Sequence, residues 1–390
     1  MIRGSLVTRS FMKFRKVCVF LPSANRDGAE LSALECLDAL EALGVKCHVV
    51  LPRKGPLLAD LAARQIGYQI IPYQVWLEPP PVPVLKRLLV ALWNLVITCI
   101  ATILVNRQKC DLIITNTVNI CVGALVAKLL GLPHVWYFRE FGYEDHGWRF
   151  HLGEKASLWI INRLTILGLA VSKAVAEKFQ KSLTAAKVHY LYQPIDVDQS
   201  PGPKISFATK KSQFTCIIVG RLQEGKRQED AVRAFAKLRD QGIPAQLWAV
   251  GGCDPAYCDF LQNLVQDNNL VKQVRFFGQV DNAFPFIQQA DVLLLCSRCE
   301  AFARVVVEAM KASKPVVGTR SGGTVEQIKE GFNGFLYEPQ NHQALAEKMK
   351  YLYDHPDKAQ ELGENGRQWA MRTFTRERYQ EKIAEILSQL

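Results

Sequence analysis

Between Ala290 and Gly323 the chain spells out a strand, a loop, a helix and another strand, an order few architectures accommodate. Val292 to Leu295 is a short, wholly apolar run of strand type. Phe302 to Ser313 has helical spacing, with Val305, Val306, Ala309 and Met310 on one inward face. Pro315 stops that helix and opens a further strand. The stretch predicts an α/β protein with an open parallel sheet. Glu300 falls in the loop at a strand's carboxyl end, and Glu308 lies roughly one and a half turns into the helix. In such sheets that end binds ligands.

The chemistry of the stretch admits two uses. The carboxylates of Glu300 and Glu308 can each accept hydrogen bonds from hydroxyls. The backbone N–H groups of Phe302, Ala303, Arg304 and Val305 lie between them at the helix start, where donors and helix dipole suit a phosphate. Hydroxyls at both ends with phosphates between describe a nucleotide-sugar. A solvated loop Glu and a salt-bridged helical Glu fit the spacing equally, so the spacing alone leaves both open.

With 390 residues, 49% of them hydrophobic, the chain holds two packed domains of ordinary size. Its formal net charge is +11, concentrated in residues 1–200, where 23 Lys/Arg face 15 Asp/Glu. A basic half implies an anionic partner, either a membrane surface or a polyphosphate. No aromatic-interleaved basic motif points to nucleic acid. The 11 cysteines are scattered, mostly in apolar segments, as expected of free thiols in a reducing compartment. Cys296 and Cys299 lack a second pair at zinc-like spacing, and no metal is expected. Val17 to Leu21 is too short for a signal-peptide core, so a cytoplasmic chain is expected, with a peripheral place on the inner face of the plasma membrane as the alternative.

In chain order, Lys16–Leu21, Leu31–Leu43 and Val45–Leu51 form a strand–helix–strand unit, with Gly28 at the first turn. Leu88 to Val105 is apolar over 18 residues except at Asn94, Thr98 and Thr102, and Lys86, Arg87, Arg107 and Lys109 flank it. It leads straight into the strand Asp111–Asn116, and a membrane span there would cut the unit in two. A helix buried in the domain or docked on a surface is the preferred reading, an anionic bilayer being one such surface. Ser172 is placed to cap a helix. Ser200 to Lys211 is polar and turn-rich, a natural linker. Phe214–Gly220 is a strand ending in glycine, and the loop beyond it carries Arg221 and Lys226, cations suited to phosphate oxygens. Val274–Val280 is a strand and turn.

These residues together resemble the donor site of retaining glycosyltransferases with the GT-B fold, the large family usually numbered four. The resemblance rests on Glu300-x7-Glu308, Lys314-Pro315-Val-Val, Gly322-Gly323, and Gly220-Arg221-Leu222 followed by Lys226. The family typically has glycine where this chain has Ala301, Ala303 and Arg227. Asp27-Gly28-Ala29-Glu30 is similar to its Gly-Gly-Ala-Glu, a loop that faces the donor diphosphate. Arg139-Glu140 stands where relatives have His-Asp or His-Glu.

The resemblance implies two Rossmann-like domains facing across a cleft: residues 1–198 on the acceptor side, a linker at 199–213, a nucleotide-sugar domain at 214–368, and a helix at 369–390 returning to the first domain. It implies donor contacts at Gly28, Arg221, Lys226, Val280, Glu300, Phe302, Ala303, Arg304, Val305 and Glu308. Arg221 and Lys226 would stabilise the departing diphosphate, and Glu300 would hold the sugar. Arg139 and Glu140 would lie on the acceptor side, Arg139 as a clamp for an anionic group and Glu140 as a candidate for the acceptor's proton. The implied reaction moves a sugar from a nucleoside diphosphate to a hydroxyl of a glycan or lipid-linked acceptor, without cofactor or metal and without a covalent nucleophile. An epimerase or phosphorylase on the same fold is one alternative. A non-catalytic member of a surface-polysaccharide assembly is another.

Overall fold

Lys16-Val-Cys-Val-Phe20 is apolar at four successive positions, and such a strand is stable only with both faces covered. In the computed structural model, which describes residues 13–197 and 213–390, it lies near the middle of the first of two large parallel sheets. The chain divides into two units: residues up to Pro194 with Arg376–Leu390, and Ile195–Thr375.

The first unit runs β1 (Lys16–Phe20), α1 (Gly28–Ala42), β2 (Lys46–Leu51), α2 (Leu57–Ala63), β3 (Gly67–Ile70), β4 (Leu77–Glu78), α3 (Val84–Asn106), β5 (Leu112–Asn116), α4 (Val122–Leu130) and β6 (His134–Phe138). It continues through α5 (Tyr143–His146), β7 (Arg149–Phe150), α6 (Glu154–Leu164), β8 (Leu167–Ala170), α7 (Lys173–Gln180) and β9 (Lys187–Tyr190). Seven strands form a parallel sheet in the order β3-β2-β1-β5-β6-β8-β9, and β4 pairs with β7 in a short antiparallel ribbon.

The second unit runs β10 (Phe214–Val219), α8 (Gln228–Asp240), β11 (Ala245–Val250), α9 (Pro255–Asp267), β12 (Val274–Gly278), α10 (Phe284–Gln289) and β13 (Val292–Leu295). Then come α11 (Arg304–Lys311), β14 (Val316–Thr319), α12 (Thr324–Gln327), β15 (Gly334–Tyr337), α13 (His342–Asp354) and α14 (Pro356–Thr373). Its parallel sheet has the order β12-β11-β10-β13-β14-β15. Both sheets are Rossmann-like, with helices linking parallel strands. The last helix, α15 (Arg376–Leu387), packs on α1 and buries Tyr379, Ile383, Ile386 and Leu387 in the first unit. Its Tyr379 hydroxyl lies 3.3 Å from that of Tyr137.

Several expectations shift. The return to the first unit starts at Arg376, because Trp369–Thr373 continue α14. The expected linker lies outside the described residues apart from Gln213. Helix α11 begins at Arg304 rather than Phe302, and Val307 takes the core position expected of the half-buried Val305. Ser172 caps α7 as expected, accepting the Val175 N–H at 3.3 Å. The thiols are not all free, since Cys253 and Cys258 form a disulfide at the start of α9. Helix α3 is not buried all round: Ile97, Ala101 and Val105 join the core with Phe20 and Ile113, while the opposite side is exposed.

Candidate active site

The strand order of the second sheet reverses between β10 and β13. β11 and β12 lie to one side of β10, and β13 to β15 lie to the other. Loops that leave such a point diverge and open a crevice at the carboxyl ends of the strands. The loop after β10 carries Arg221 and Lys226, and the loop after β13 carries Glu300. Lys226 Nζ lies 2.5 Å from Glu300 Oε1, and the buried Ser297 donates its hydroxyl to the same oxygen at 2.5 Å. Glu300 also accepts the Gly323 N–H on its backbone oxygen at 2.7 Å, and Thr319 Oγ1 donates to the Ser297 carbonyl at 2.7 Å. Three successive strand-end loops therefore meet at Glu300. Arg221 is exposed, and its carbonyl accepts a hydrogen bond from Gln228 Nε2 at 3.1 Å.

The backbone around Lys226 explains one departure from the family pattern. A single tight turn, Glu224–Lys226, leads into Arg227, which sits in the left-handed region at φ 51 and ψ 42. Glycine adopts that conformation without steric cost, whereas arginine does not. Arg227 forks onto Asp230 instead, with Nε 2.8 Å from Oδ2 and Nη2 2.9 Å from Oδ1. Asp230 is fully buried, and this hydrogen-bonded partner raises the arginine's pKa above its ordinary value. Nearby, Gly251 has φ +145, and a Cβ there would stand 2.1 Å from the Gly220 carbonyl oxygen, so the turns after β10 and β11 approach too closely for any side chain.

The start of α11 is built by a residue to which sequence reasoning gave no role. Gln327, fully buried in α12, accepts the Ala303 N–H at 2.9 Å and donates to the Ala303 carbonyl at 2.9 Å. The Ala303 N–H is thus engaged inside the unit, which corrects its assignment as a phosphate donor. Val306 N–H bonds to Ala303 O, so Arg304 and Val305 are the residues whose N–H groups open the helix. Ala303 has φ −85, and Ala301 is not among the positive-φ residues, so neither methyl group strains the backbone where relatives have glycine. Glu308 lies one turn after Arg304 and shares its face and that of Val305. The Phe302 ring meets Phe374 edge-on at 5.7 Å. Val280 lies just beyond β12, and its carbonyl accepts a hydrogen bond from Gln279 Nε2 at 3.3 Å.

In the first unit the order reverses between β1 and β5. Gly28 is exposed at the first turn of α1, beyond the end of β1, where it was expected. Arg139 lies largely inside the unit, with its Nη1 buried and unpartnered among the described residues. It is 7% exposed, its Nε donates to Asn116 Oδ1 at 2.5 Å and its Nη2 to Ser32 O at 3.2 Å, and its guanidinium stacks 3.8 Å from the Tyr137 ring centre. It therefore ties together α1, β5 and β6. Glu140 is buried and accepts the Val118 N–H at 2.8 Å. Burial, with Asp145 nearby, pushes its carboxyl up to about 8. Asp145 accepts the Phe141 and Gly142 N–H groups, both at 2.8 Å, and shapes that loop.

Known proteins resemble the chain in sequence and in fold. A family model described as Glycosyltransferase Family 4 matches residues 26–199, and one described as Glycosyl transferases group 1 matches residues 204–369. The chain is 31% identical over 175 residues to the N-acetyl-alpha-D-glucosaminyl L-malate synthase of Bacillus anthracis, covering 45% of each. The chain spans about half the length or less of the first curated relatives it matches. It is 26% identical over 352 residues to the GDP-mannose-dependent alpha-(1-6)-phosphatidylinositol monomannoside mannosyltransferase of Mycobacterium tuberculosis, covering 86% of this chain and 87% of that one. Among solved structures, Alr3699/HepE of Anabaena in complex with UDP superposes with a TM-score of 0.77 at 23% identity, over 96% of this chain and 100% of that one. At that identity the likeness is one of fold.

Proposed function

The chain belongs to the group 1, family 4 glycosyltransferases with the GT-B fold, and from that premise we propose that its second unit binds a nucleoside diphosphate sugar and that the enzyme transfers the sugar to an acceptor hydroxyl with retention of configuration. The observation that carries this reading is the meeting of Lys226, Glu300 and Ser297 at the strand-order reversal of the second sheet.

The bond from the anomeric carbon to the diphosphate oxygen breaks, and a bond from that carbon to the acceptor oxygen forms on the same face. Negative charge grows on the departing diphosphate. Arg221, Lys226 and the N–H groups of Arg304 and Val305 supply positive charge and donors there, where they act most on the transition state. The departing phosphate oxygen takes the acceptor's proton. Glu300 holds Lys226 in place before the donor arrives and then accepts hydrogen bonds from the sugar. Glu308 accepts them from the ribose. The cations take the part a divalent metal plays in other transferases, so no metal or cofactor is required. The acceptor is a glycan or a lipid-linked sugar.

UDP and GDP head the donor screen, because HepE is seen with UDP and the mycobacterial relative uses GDP-mannose. One nucleoside diphosphate among UDP, GDP and ADP raises the unfolding temperature, by about 2.7 kcal/mol of added stability at a hundredfold excess over Kd. Glu308→Gln or Arg221→Ala abolishes transfer and leaves the fold intact. Wild-type transfer in either variant, or no shift with any of the three nucleotides, overturns the assignment.

A further inference from the structure

Helix α3 is apolar on its outer side as well as on its inner one. Its polar residues Asn94 and Thr98 face inward, each 3% exposed. Asn94 bonds to both backbone groups of Gln74 at 2.9 Å, and Thr98 donates to the Asn94 carbonyl at 2.6 Å. Leu85, Leu88, Leu92, Leu95, Val96 and Ile103 face outward and are 56–68% exposed. At 100° per residue these six fall within an arc of about 100°, less than a third of the helix circumference. Of the helix's most apolar 18 residues, only 28% is buried. Single exposed apolar residues are ordinary, but a continuous face of this kind marks a docking surface.

The charges identify the occupant. Arg87 and Lys86, the latter paired with Glu78 at 2.9 Å, stand at one end of the helix and Arg107 and Lys109 at the other, with no acid in the sequence from Val84 to Cys110. A second copy packed on this face, parallel or antiparallel, would set basic ends against basic ends. Anionic lipid headgroups complement both ends at once, while the apolar face enters the acyl boundary. The helix is about 34 Å long, enough to span a bilayer by length alone. Its inner stripe is nevertheless part of the core with Phe20 and Ile113, and β5 follows within the same sheet. We propose that α3 lies in the plane of an anionic bilayer surface and seats the first unit on it. The inference uses the surface of that unit alone and stands apart from the donor reading.

The test is flotation of the full chain with vesicles of phosphatidylcholine alone, and with vesicles in which phosphatidylglycerol replaces part of it. Wild type floats with the anionic vesicles and is released by alkaline carbonate. Leu92→Glu with Val96→Glu, both at exposed positions, lowers vesicle affinity by about tenfold or more. The unfolding temperature and nucleotide binding of this variant stay at wild-type values, which separates loss of docking from loss of fold or of donor site. Arg107→Glu with Lys109→Glu weakens binding to anionic vesicles by about tenfold and leaves the weak binding to phosphatidylcholine alone unchanged. Four outcomes overturn the proposal: no flotation of wild type, equal flotation of the Leu92/Val96 variant, resistance to carbonate, or a dimer that the Leu92/Val96 variant dissociates without any vesicle binding.

Discussion

Substitution of Arg227 separates two forces that oppose each other at the loop presenting Lys226. The left-handed backbone at φ 51 costs a residue with a side chain about 1–2 kcal/mol. Removing one partner of a buried ion pair costs about 3–5 kcal/mol. Here the lower end applies, because the Arg227 side chain is 18% exposed and Arg233 stays 3.9 Å from Asp230, which is itself fully buried. Arg227→Ala keeps the strain and loses the fork, a loss of about 3 kcal/mol. Arg227→Gly loses the same fork but relieves the strain, less the extra freedom glycine brings to the unfolded chain, leaving a loss of about 2 kcal/mol. In a domain of this size 1 kcal/mol moves the unfolding temperature by about 2–4 °C. The second unit of the alanine variant should therefore melt about 6–12 °C below wild type, with the glycine variant a few degrees above it. Scanning calorimetry of the nucleotide-free protein resolves these differences. An alanine variant as stable as wild type would show that the fork is idle, and a glycine variant less stable than alanine would refute the strain.

Glu140→Gln tests the raised carboxyl. Its folded pKa, about 8, lies above the ordinary 4.5, so its stabilising effect is complete below about pH 4.5 and is lost as pH rises towards 8. Wild-type stability should fall across that window at up to roughly 1.4 kcal/mol per pH unit from this group, and the glutamine variant should lack that component; superimposable pH profiles of the two would refute it. Gln327→Leu leaves the Ala303 N–H and carbonyl buried without their side-chain partner, costs about 2–4 kcal/mol and weakens nucleotide affinity through the start of α11. Unchanged melting and unchanged nucleotide affinity would show that the clasp is idle.

Local signals in the chain carried much of the fold. β1, β2, β10 and β13 are dense apolar runs, and the glycine at 220, like the proline at 315, marks an element's end. Long-range pairings were legible only where a family pattern supplied the partner. Lys226 and Glu300 are 74 residues apart, and no periodicity links them. Gln327 went unread because a lone glutamine in a four-residue helix has no distinctive spacing, and its function comes from complete burial against Ala303. Arg139 was read by position alone, and its bonds to Asn116 and its stacking on the Tyr137 ring, both brought to it by the fold, had no signal in the spacing. The ribbon of β4 and β7 has only two residues per strand, too few to show alternation. The Cys253–Cys258 bridge lay hidden among thiols that read as a uniform buried set.

The return of α15 to the first unit has a consequence for synthesis. The second unit is one unbroken stretch of chain, whereas the first is assembled from two pieces on either side of it. A ribosome therefore delivers the whole of the second unit while the first still lacks Tyr379, Ile383, Ile386 and Leu387. Until those residues emerge, the part of α1 that α15 covers stays bare, and the nascent first unit presents apolar surface to chaperones and to other chains. The later-made unit is the first that can finish folding.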